Sequence, residues 1–432
     1  MISTITVNGY RSLQQFSLDL SPGLNVLVGP NAAGKSNIVS FFNFLRLLVD
    51  NRLADAIAMA GGAASVFAKI NETEYQRNLS SSISGTFPDL EKQYRYAFTI
   101  ELTQTNHQIY FSTQQLSVGS EVDGKFKEEL SISVEAVVHQ DEKISVTSNT
   151  LGLNKETSLS DMQLNKFLER IFSSADQSLI RVSQFLPLDE EAISLVNADF
   201  LGTSVFNVIP SSVKTAEDTV RRPGIGPDGS GVAASIRALE MGDVFYAPRG
   251  PFYAALPKAH LKDAKTTLGR IVDTVRLAVP RIADITVKGD PFSPQLQCNV
   301  DFYVHEGSDS RIRLPLAQVS DGTAKWIAIV TAIFTSESGV SLEEPENFLH
   351  PHMQREIVQL MRENCTQRRF VLLTTHSETV LNAVRPDEVI LVEHRDGRTT
   401  AGRVKNSKEI REEINRTGFG LGYYYFAQAM ES

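Results

Sequence analysis

Residues 29–36 have the sequence G-P-N-A-A-G-K-S, a glycine-rich turn that ends in a lysine and a hydroxyl. The spacing fits the pattern G-x-x-x-x-G-K-[ST] in full. A short apolar run precedes the turn at residues 24–28, and residues 36–45 have the pattern of a helix. A strand–loop–helix unit directs backbone N–H groups and a helix N-terminus at one point, where an anion can bind. The turn therefore predicts a phosphate-binding loop, because a chance glycine-rich turn lacks this context.

The residue types within this loop indicate its chemistry. The glycines allow the backbone to approach a phosphate closely. Lys35 is expected to reach the β- and γ-phosphates of ATP, and the Ser36 hydroxyl to bind Mg²⁺. ATP and Mg²⁺ are thus the predicted cofactors. The predicted nucleotide-binding residues of the loop are Gly29, Pro30, Asn31, Ala32, Ala33, Gly34, Lys35, Ser36 and Asn37.

Adjacent carboxylates follow a second apolar strand, in the segment G-V-S-L-E-E-P-E at residues 339–346. A P-loop enzyme needs one acid near Mg²⁺ and often a second to activate the attacking water. Neighbouring side chains on an extended strand point to opposite sides, so the two acids need different roles unless the strand has ended. We assign Glu343 to the metal and Glu344 to the water; the alternative is a solvated acidic turn.

Two further segments carry candidate chemistry. His376 follows the apolar run at residues 371–375, where an imidazole could contact the γ-phosphate and sense its loss. A lone histidine is more often structural, but this one ends an apolar strand that follows the acidic pair. The segment V-S-D-G-T at residues 319–323 places a hydroxyl and free N–H groups at a helix start. By itself, that segment is better explained as an ordinary helix cap.

Composition restricts the class of protein. The chain has 432 residues with a formal charge of −9, so its surface as a whole does not attract nucleic acid. Its two cysteines, Cys298 and Cys365, lie far apart and in no metal-binding spacing, which suggests a reducing compartment. The longest apolar run, at residues 326–334, is too short to span a bilayer. The N-terminus has no signal-peptide pattern, so we expect a cytoplasmic protein without membrane contact.

The hydrophobic pattern predicts where strands and helices lie. Alternation between residues 95 and 148 predicts antiparallel strands with one solvated face. Residues 155–209 are expected to be partly helical, and the proline- and glycine-rich segment 210–231 to be a long loop. From residue 314 onward helices alternate with strands, which is typical of a parallel sheet. Further helices are expected at residues 232–239 and 258–277, and further strands at residues 285–287 and 297–304.

Together and in this order, these segments resemble an ABC-class ATPase of the SMC/RecF branch, and most of all the OLD-like ATPases of bacterial anti-phage systems. The resemblance covers roughly residues 1–50 and 225–405, and it includes the opening I-T-V-N-G-Y-R-S-L at residues 5–13. It implies an α/β fold: an ABC-type ATPase head with a mixed or parallel sheet, flanking helices and an antiparallel β lobe, interrupted by a large mixed α+β insertion. The expected divisions are residues 1–50 and 225–405 for the head, 51–224 for the lobe and insertion, and 406–432 for a tail.

The resemblance also implies a dimer, or a higher oligomer, that closes around nucleotide. ATP on the loop of one protomer would be capped by Ser320 and Gly322 of the other. Glu344 would be the general base, His376 the switch histidine and Arg11 a nucleotide contact. The chain departs from the family where Glu343 replaces an aspartate and Asp321 a glycine, and no Q-loop glutamine can be placed. These departures bear on the hydrolysis rate more than on nucleotide binding.

Several functions remain open from sequence. We expect an ATP-hydrolysing switch that controls a partner effector, a nuclease or a toxin, in anti-phage defence. The effector activity is expected in another subunit, because residues 377–432 are too few for the Toprim nuclease domain of OLD proteins. The alternatives are a DNA-repair or chromosome-maintenance ATPase of the RecF/SMC type, and a scaffold that binds ATP without hydrolysing it. A transporter is disfavoured by the long insertion between residues 36 and 320.

A basic stretch leaves nucleic-acid binding open as well. Residues 257–288 contain seven Lys or Arg and three Asp. Such a run could line a nucleic-acid groove, but it is more often the solvated face of a helix.

Overall fold

The computed structural model describes most of the chain, and all structural statements here concern that part. The described residues are 1–104, 107–138, 144–151, 161–172, 174–184, 191–242, 264–289, 292, 294–305, 309–336, 340–364, 370–427 and 430. Cys365 and residues 257–263 of the basic stretch therefore lie outside the described residues.

The strands and helices are defined as follows. The strands are β1 (Ile2–Asn8), β2 (Phe16–Asp19), β3 (Gly23–Val28), β4 (Asn78–Phe87), β5 (Lys92–Leu102), β6 (Ile109–Val122), β7 (Lys125–Val138), β8 (Ile144–Leu151), β9 (Val205–Phe206), β10 (Glu217–Asp218), β11 (Ile282–Lys288), β12 (Gln295–Tyr303), β13 (Arg311–Pro315), β14 (Ser341–Glu343), β15 (Phe370–Thr375), β16 (Val389–Arg395) and β17 (Arg398–Arg403). The helices are α1 (Lys35–Asp50), α2 (Leu53–Met59), α3 (Ala63–Val66), α4 (Asp161–Ile171), α5 (Leu179–Ser183), α6 (Glu191–Leu201), α7 (Pro210–Lys214), α8 (Val232–Met241), α9 (Ala264–Ala278), α10 (Asp321–Thr335), α11 (Pro351–Asn364), α12 (Glu378–Leu381), α13 (Ser407–Thr417) and α14 (Leu421–Phe426).

A six-stranded sheet forms the centre of the α/β part, with strand order β17-β16-β3-β15-β14-β9. Neighbouring strands from β16 to β9 run parallel, and only β17 is antiparallel to its neighbour. β3 and β15 are apolar and buried along most of their length, as expected for strands covered on both faces. The carboxyl ends of the parallel strands therefore meet at one edge of this sheet, where α/β folds bind ligands.

A seven-stranded antiparallel sheet forms a second layer, with strand order β2-β1-β4-β5-β6-β7-β8. In β4, for example, buried residues alternate with partly exposed ones. This confirms the antiparallel lobe predicted from residues 95–148. β1 and β2, which precede the phosphate-binding loop, also belong to this sheet, whereas β9 of the insertion joins the central sheet. Neither sheet is thus built from one continuous part of the chain.

Helix α10 packs in the core beside the central sheet, and its residues 323–334 are all buried. It contains the long apolar run seen in the sequence, which is therefore a buried core helix. No described helix combines the length and the apolar character needed to cross a membrane. A third sheet, in which β12 pairs with β10, β11 and β13, lies in the same hydrophobic cluster as α10.

Some predicted elements differ from the observed ones. The segment 210–231, predicted as a loop, contains the short helix α7 and the two-residue strand β10. α7 begins at Pro210, a residue whose fixed φ and missing N–H suit the first turn of a helix. The predicted strand 285–287 extends over all of β11. The predicted helix 258–277 is described from Ala264 onward, as α9.

Candidate nucleotide-binding site

The phosphate-binding loop joins β3 to α1 through residues held in unusual backbone geometry. Gly34 caps α1 with a φ of 104°, a conformation that a side chain would strain. A Cβ atom at Gly34 would lie 1.9 Å from Thr399 Oγ1, and one at Gly29 would lie 2.2 Å from the Val392 carbonyl oxygen. Both neighbours belong to the β16–β17 hairpin. The two glycines are therefore required because this hairpin packs directly against the loop.

Lys35 is the first residue of α1 and its side chain is buried. Its Nζ donates hydrogen bonds to the carbonyl oxygens of Gly29, at 2.7 Å, and of Pro30, at 3.1 Å. Burial lowers the pKa of Lys35, while the carboxylates of Glu344 and Glu346 act in the opposite direction. The ammonium is thus held across the loop by two of the loop's own carbonyl oxygens. Its contact with phosphate stays a prediction.

A hydrogen-bond chain supports the loop from behind. Asn37 Nδ2 donates to Ser12 Oγ at 2.6 Å, and Ser12 Oγ hydrogen-bonds Thr399 Oγ1 at 2.6 Å. Thr399 Oγ1 also contacts the Ala33 carbonyl oxygen at 3.3 Å. Ser12 and Thr399 are not among the residues predicted from the sequence. Ser12 lies in a segment that the family resemblance included. Thr399 lies close to the loop only because the β16–β17 hairpin folds back onto it.

Arg11 has a left-handed backbone with a φ of 47°, and its Nε donates to the Ser65 carbonyl oxygen at 2.6 Å. Its guanidinium lies 5.5 Å from the centre of the Tyr10 ring. These contacts fix the side chain between β1 and α3. Its contact with nucleotide stays a prediction.

Strand register brings the other candidate residues to the same edge of the sheet. β15 lies between β3 and β14, and Thr375 pairs with Val28, directly before the phosphate-binding loop. Glu343 pairs with Thr374 on the opposite side of β15. Glu344 and His376 each follow the last residue of their strand, so they lie side by side at the carboxyl edge.

Glu344 begins a sharp turn at the end of β14. Its φ is 42°, and its backbone N–H donates to the Thr374 carbonyl oxygen at 3.1 Å. Because the strand ends at Glu343, the alternation of an extended strand no longer dictates where the Glu344 side chain points. Glu344 Oε1 lies 3.4 Å from His376 Nδ1, and both side chains are partly exposed. A carboxylate and a histidine thus face solvent together beside the loop.

Glu346 is a third carboxylate at this edge, to which sequence analysis gave no role. Its Oε1 accepts a hydrogen bond from Thr375 Oγ1 at 2.7 Å and from the His376 backbone N–H at 3.0 Å, and lies 3.6 Å from His376 Nδ1. Its side chain is only 5% exposed. The sequence signal that could have identified Glu346 as a site residue is its position in the acidic run, three residues after Glu343.

Ser320 caps α10 and its hydroxyl contacts Thr323, within the same helical turn. In the described residues, the side-chain contacts of Ser320 stay within that turn and do not reach the phosphate-binding loop. Lys214 forms an ion pair with Asp321, which offsets the acid that replaces a glycine in this segment. Gly322 faces the loop after β14, since a Cβ atom there would lie 2.7 Å from the Phe348 carbonyl oxygen.

The donors available for Mg²⁺ are the Ser36 hydroxyl and the Glu343 carboxylate. Ser36 is exposed in the first turn of α1, and Glu343 is partly exposed at the end of β14. Both offer oxygen, the ligand that Mg²⁺ prefers, and Mg²⁺ commonly keeps waters and phosphate oxygens as its other ligands. Among the described residues no cluster of three or more His, Cys, Asp or Glu is placed to hold a metal. Ser36 and Glu343 thus offer the oxygen ligands that Mg²⁺ prefers, and their role in binding it stays a prediction.

The described part of the basic stretch makes internal contacts. Arg276 Nε donates to the Ile282 carbonyl oxygen at 3.0 Å, and Arg281 donates to the Tyr303 carbonyl oxygen at 3.2 Å. Arg270 lies 4.6 Å from the centre of the Phe334 ring. These three cations hold α9 and β11 in place, which favours the structural alternative for this part of the stretch.

A comparison with protein families assigns the chain. The match to one family model spans residues 24–382, from β3 to the residue after α12. The chain belongs to the family described as "AAA domain, putative AbiEii toxin, Type IV TA system". In this AAA-domain family member, the matched region contains the phosphate-binding loop, the Ser320 segment, the three carboxylates and His376.

Short segments are also similar to curated proteins. The chain is 30% identical over 83 residues to the DNA replication and repair protein RecF of Rhodococcus erythropolis (strain PR4), covering 19% of this chain and 20% of that protein. It is 36% identical over 58 residues to RecF of Corynebacterium jeikeium (strain K411), covering 13% and 14%. The chain thus matches about a fifth or less of the length of these two relatives.

Solved structures of SMC head domains align along most of the chain. An SMC head bound to the C-terminal winged-helix domain of ScpA is 13% identical with a TM-score of 0.48, covering 93% of this chain and 97% of that one. The SMC head domain from Thermotoga maritima is 10% identical with a TM-score of 0.41, covering 94% and 99%.

Proposed function

We propose that this chain binds MgATP at the carboxyl edge of the central sheet and hydrolyses it. The observation that carries the proposal is the convergence of Lys35, Glu344 and His376 at that edge, with Glu344 Oε1 and His376 Nδ1 only 3.4 Å apart. Lys35 binds the β- and γ-phosphates, and Ser36 and Glu343 hold the metal. Membership of an AAA-domain family supports nucleotide binding.

In this proposal Glu344 accepts the proton of the attacking water. Its carboxylate is partly exposed, with its oxygens near His376 Nδ1 and Asn347 Nδ2, so water can reach it. His376 contacts the γ-phosphate and registers its loss. Mg²⁺ supplies electrostatic stabilisation of the charge on the transferred phosphoryl group.

The proposal extends to a dimer that forms on ATP. Ser320 is exposed at the start of α10, and its side-chain hydrogen bonds within the described residues are confined to its own turn. A hydroxyl and free N–H groups at a helix start suit an anion. Ser320 and Gly322 of one copy would therefore cap the ATP held by the other copy.

We propose anti-phage defence as the cellular role, with this chain as the ATPase subunit that controls an effector, a nuclease or a toxin. The words "putative AbiEii toxin, Type IV TA system" in the family description support this assignment. The segments similar to RecF favour a second candidate, an ATPase of DNA repair or chromosome maintenance.

Two measurements separate these functions. ATP turnover by the purified chain tests the enzyme; tight ATP binding without turnover would favour the non-hydrolysing scaffold instead. Purification from the native host, followed by mass spectrometry, tests the role. A co-purifying nuclease or toxin supports defence, whereas binding of the chain alone to DNA ends or gaps supports repair.

A further inference from the structure

One face of α10 lies against the turn that follows the catalytic acids. Gly322 and Lys325 are three residues apart on this helix, so they share a face. Gly322 packs so closely on the Phe348 backbone that a Cβ atom would not fit. The Lys325 Nζ lies 5.9 Å from the centre of the Phe348 ring. Lys325 therefore enters the protein beneath the segment that contains Glu344 and Glu346.

Lys325 is a buried cation whose only contact of its charged end in the described residues is with the Phe348 ring. It is 1% exposed, and the described residues offer it no hydrogen bond or ion pair. Burial lowers its pKa, and the carboxylates of Glu346 and Glu344 partly offset that effect. A buried lysine normally needs a compensating charge. The two carboxylates at the sheet edge are the charges that supply it.

Glu346 has the complementary feature. Its Oε1 is fully engaged by Thr375 and the His376 backbone, as described above. Its Oε2 is buried and accepts no hydrogen bond from any described residue. An unsatisfied carboxylate oxygen in a protein interior is costly and calls for a cation or a donor. Lys325 lies against the same turn, since its Nζ is 5.9 Å from the ring of Phe348, two residues after Glu346. Lys35, by contrast, already donates to Gly29 and Pro30.

We propose that Lys325 and Glu346 form a positioning pair that couples α10 to the switch histidine. The proposal rests on the proposed function, in which Ser320 meets the partner's ATP. Ser320 caps α10 and Lys325 lies on the same rigid helix, so a shift of Ser320 also shifts Lys325. The Lys325 charge acts on the free oxygen of Glu346, and the other oxygen of Glu346 holds the backbone of His376. Engagement of the partner's nucleotide is thereby linked to the orientation of His376.

The test uses charge-neutral variants of similar shape. Lys325→Met and Glu346→Gln each remove one charge, and Lys325→Arg keeps the cation as a rescue variant. Arg313→Met is the matched control, because it removes a cation from a different carboxylate pair, with Asp301, on β12 and β13. All are made in the full chain as single variants. One double variant combines Glu346→Gln with Lys325→Met.

The expected result is a loss of turnover with little change in ATP binding. Each single charge-removing variant should lower kcat about ten-fold and leave KM for ATP within about two-fold, since the proposal assigns neither side chain to nucleotide binding. The kcat of the double variant should fall no further than that of the more impaired single variant, because the effects of residues in one charged network are not additive. Lys325→Arg should retain most activity. Additive losses, or a Lys325→Arg variant as impaired as Lys325→Met, would overturn the pair.

A second readout does not depend on turnover. In protein with isotope-labelled histidine rings, assigned with His376→Gln, Lys325→Met should move the His376 signal and leave the His305 signal in place. Arg313→Met should not move the His376 signal. An unmoved His376 signal in folded Lys325→Met protein would refute the coupling. If the wild-type chain fails to hydrolyse ATP, the proposed function fails, and this signal alone still decides the pair.

Discussion

Glu344 and His376 face each other across two adjacent parallel strands, with Glu344 Oε1 3.4 Å from His376 Nδ1. They are brought together because β14 and β15 pair in register and each residue is the first beyond its strand. β15 in turn pairs with β3, which leads into the phosphate-binding loop. The arrangement of three neighbouring strands thus gathers a cation, a carboxylate and a histidine from distant parts of the chain.

Lys35→Ala should weaken ATP binding by at least about 100-fold, because it removes a charge-assisted contact to the β- and γ-phosphates. Isothermal titration with a non-hydrolysable ATP analogue measures this. Lys288→Ala, which removes an exposed lysine from β11, is the control and should bind normally. Wild-type affinity in Lys35→Ala would refute the assignment of the loop.

Glu344→Gln should keep ATP binding and stop turnover, because an amide cannot accept the proton of the water. It should therefore accumulate an ATP-bound dimer, which light scattering after size-exclusion chromatography detects. Glu343→Gln is the comparison variant and should instead weaken the binding of Mg²⁺. If Glu343→Gln traps the dimer and Glu344→Gln does not, the two carboxylate roles are reversed.

Ser320→Arg should bind ATP normally yet fail to hydrolyse it, since a bulky cation at the exposed start of α10 would block closure of the dimer. Mixing it with Lys35→Ala should restore part of the activity. The heterodimer would then have one site with an intact loop and an intact Ser320. The composite site would be contradicted by a folded, associating mixture that recovers no turnover.

Glu217→Ala should destabilise the fold by about 1–3 kcal/mol, because it leaves buried backbone donors unsatisfied. The Glu217 carboxylate is buried and accepts from the N–H groups of Gly231, Ala233 and Ala234, at the start of α8. Urea unfolding measures the change. Glu217→Gln keeps an acceptor and should lose less; equal stability of Glu217→Ala and wild type would contradict this role.

The buried Lys325 should make stability depend on pH. Burial lowers its pKa from 10.5 to about 8, against the opposing charges of Glu346 and Glu344. Between pH of about 8 and 10.5 the Lys325 side chain of the unfolded chain binds more protons than that of the folded chain. The free energy of unfolding therefore rises with pH in this range. Lys325→Met removes this contribution. Its stability gain over wild type should therefore be larger at about pH 7.5 than at about pH 9.5 in urea unfolding, and a constant difference would contradict it.

The candidate site was predictable where chemistry is encoded locally. The loop at residues 29–36 has a fixed spacing, and its strand and helix flanks are confirmed by β3 and α1. Glu344 and His376 were recognisable because each follows an apolar run. Their roles in catalysis, like that of Ser320, stay predictions.

Glu346, Thr399 and Lys325 could not be given their roles in this way. Thr399 supports the loop only because the β16–β17 hairpin, more than 300 residues later in the chain, packs beside β3 and the phosphate-binding loop. The relation of Lys325 to Glu346 depends on how α10 packs on the turn after β14. Neither contact follows from spacing along the sequence.

The sequence by itself determined the phosphate-binding loop, the order of the chemical groups and the alternation of helix and strand. These depend on local backbone preference and on hydrophobic periodicity, which neighbouring residues fix. Tertiary structure decided the strand order, the proximity of Glu344 to His376, and the burial of Lys325. These depend on which strands pair and which faces pack, and such long-range contacts are set by burial of the whole core.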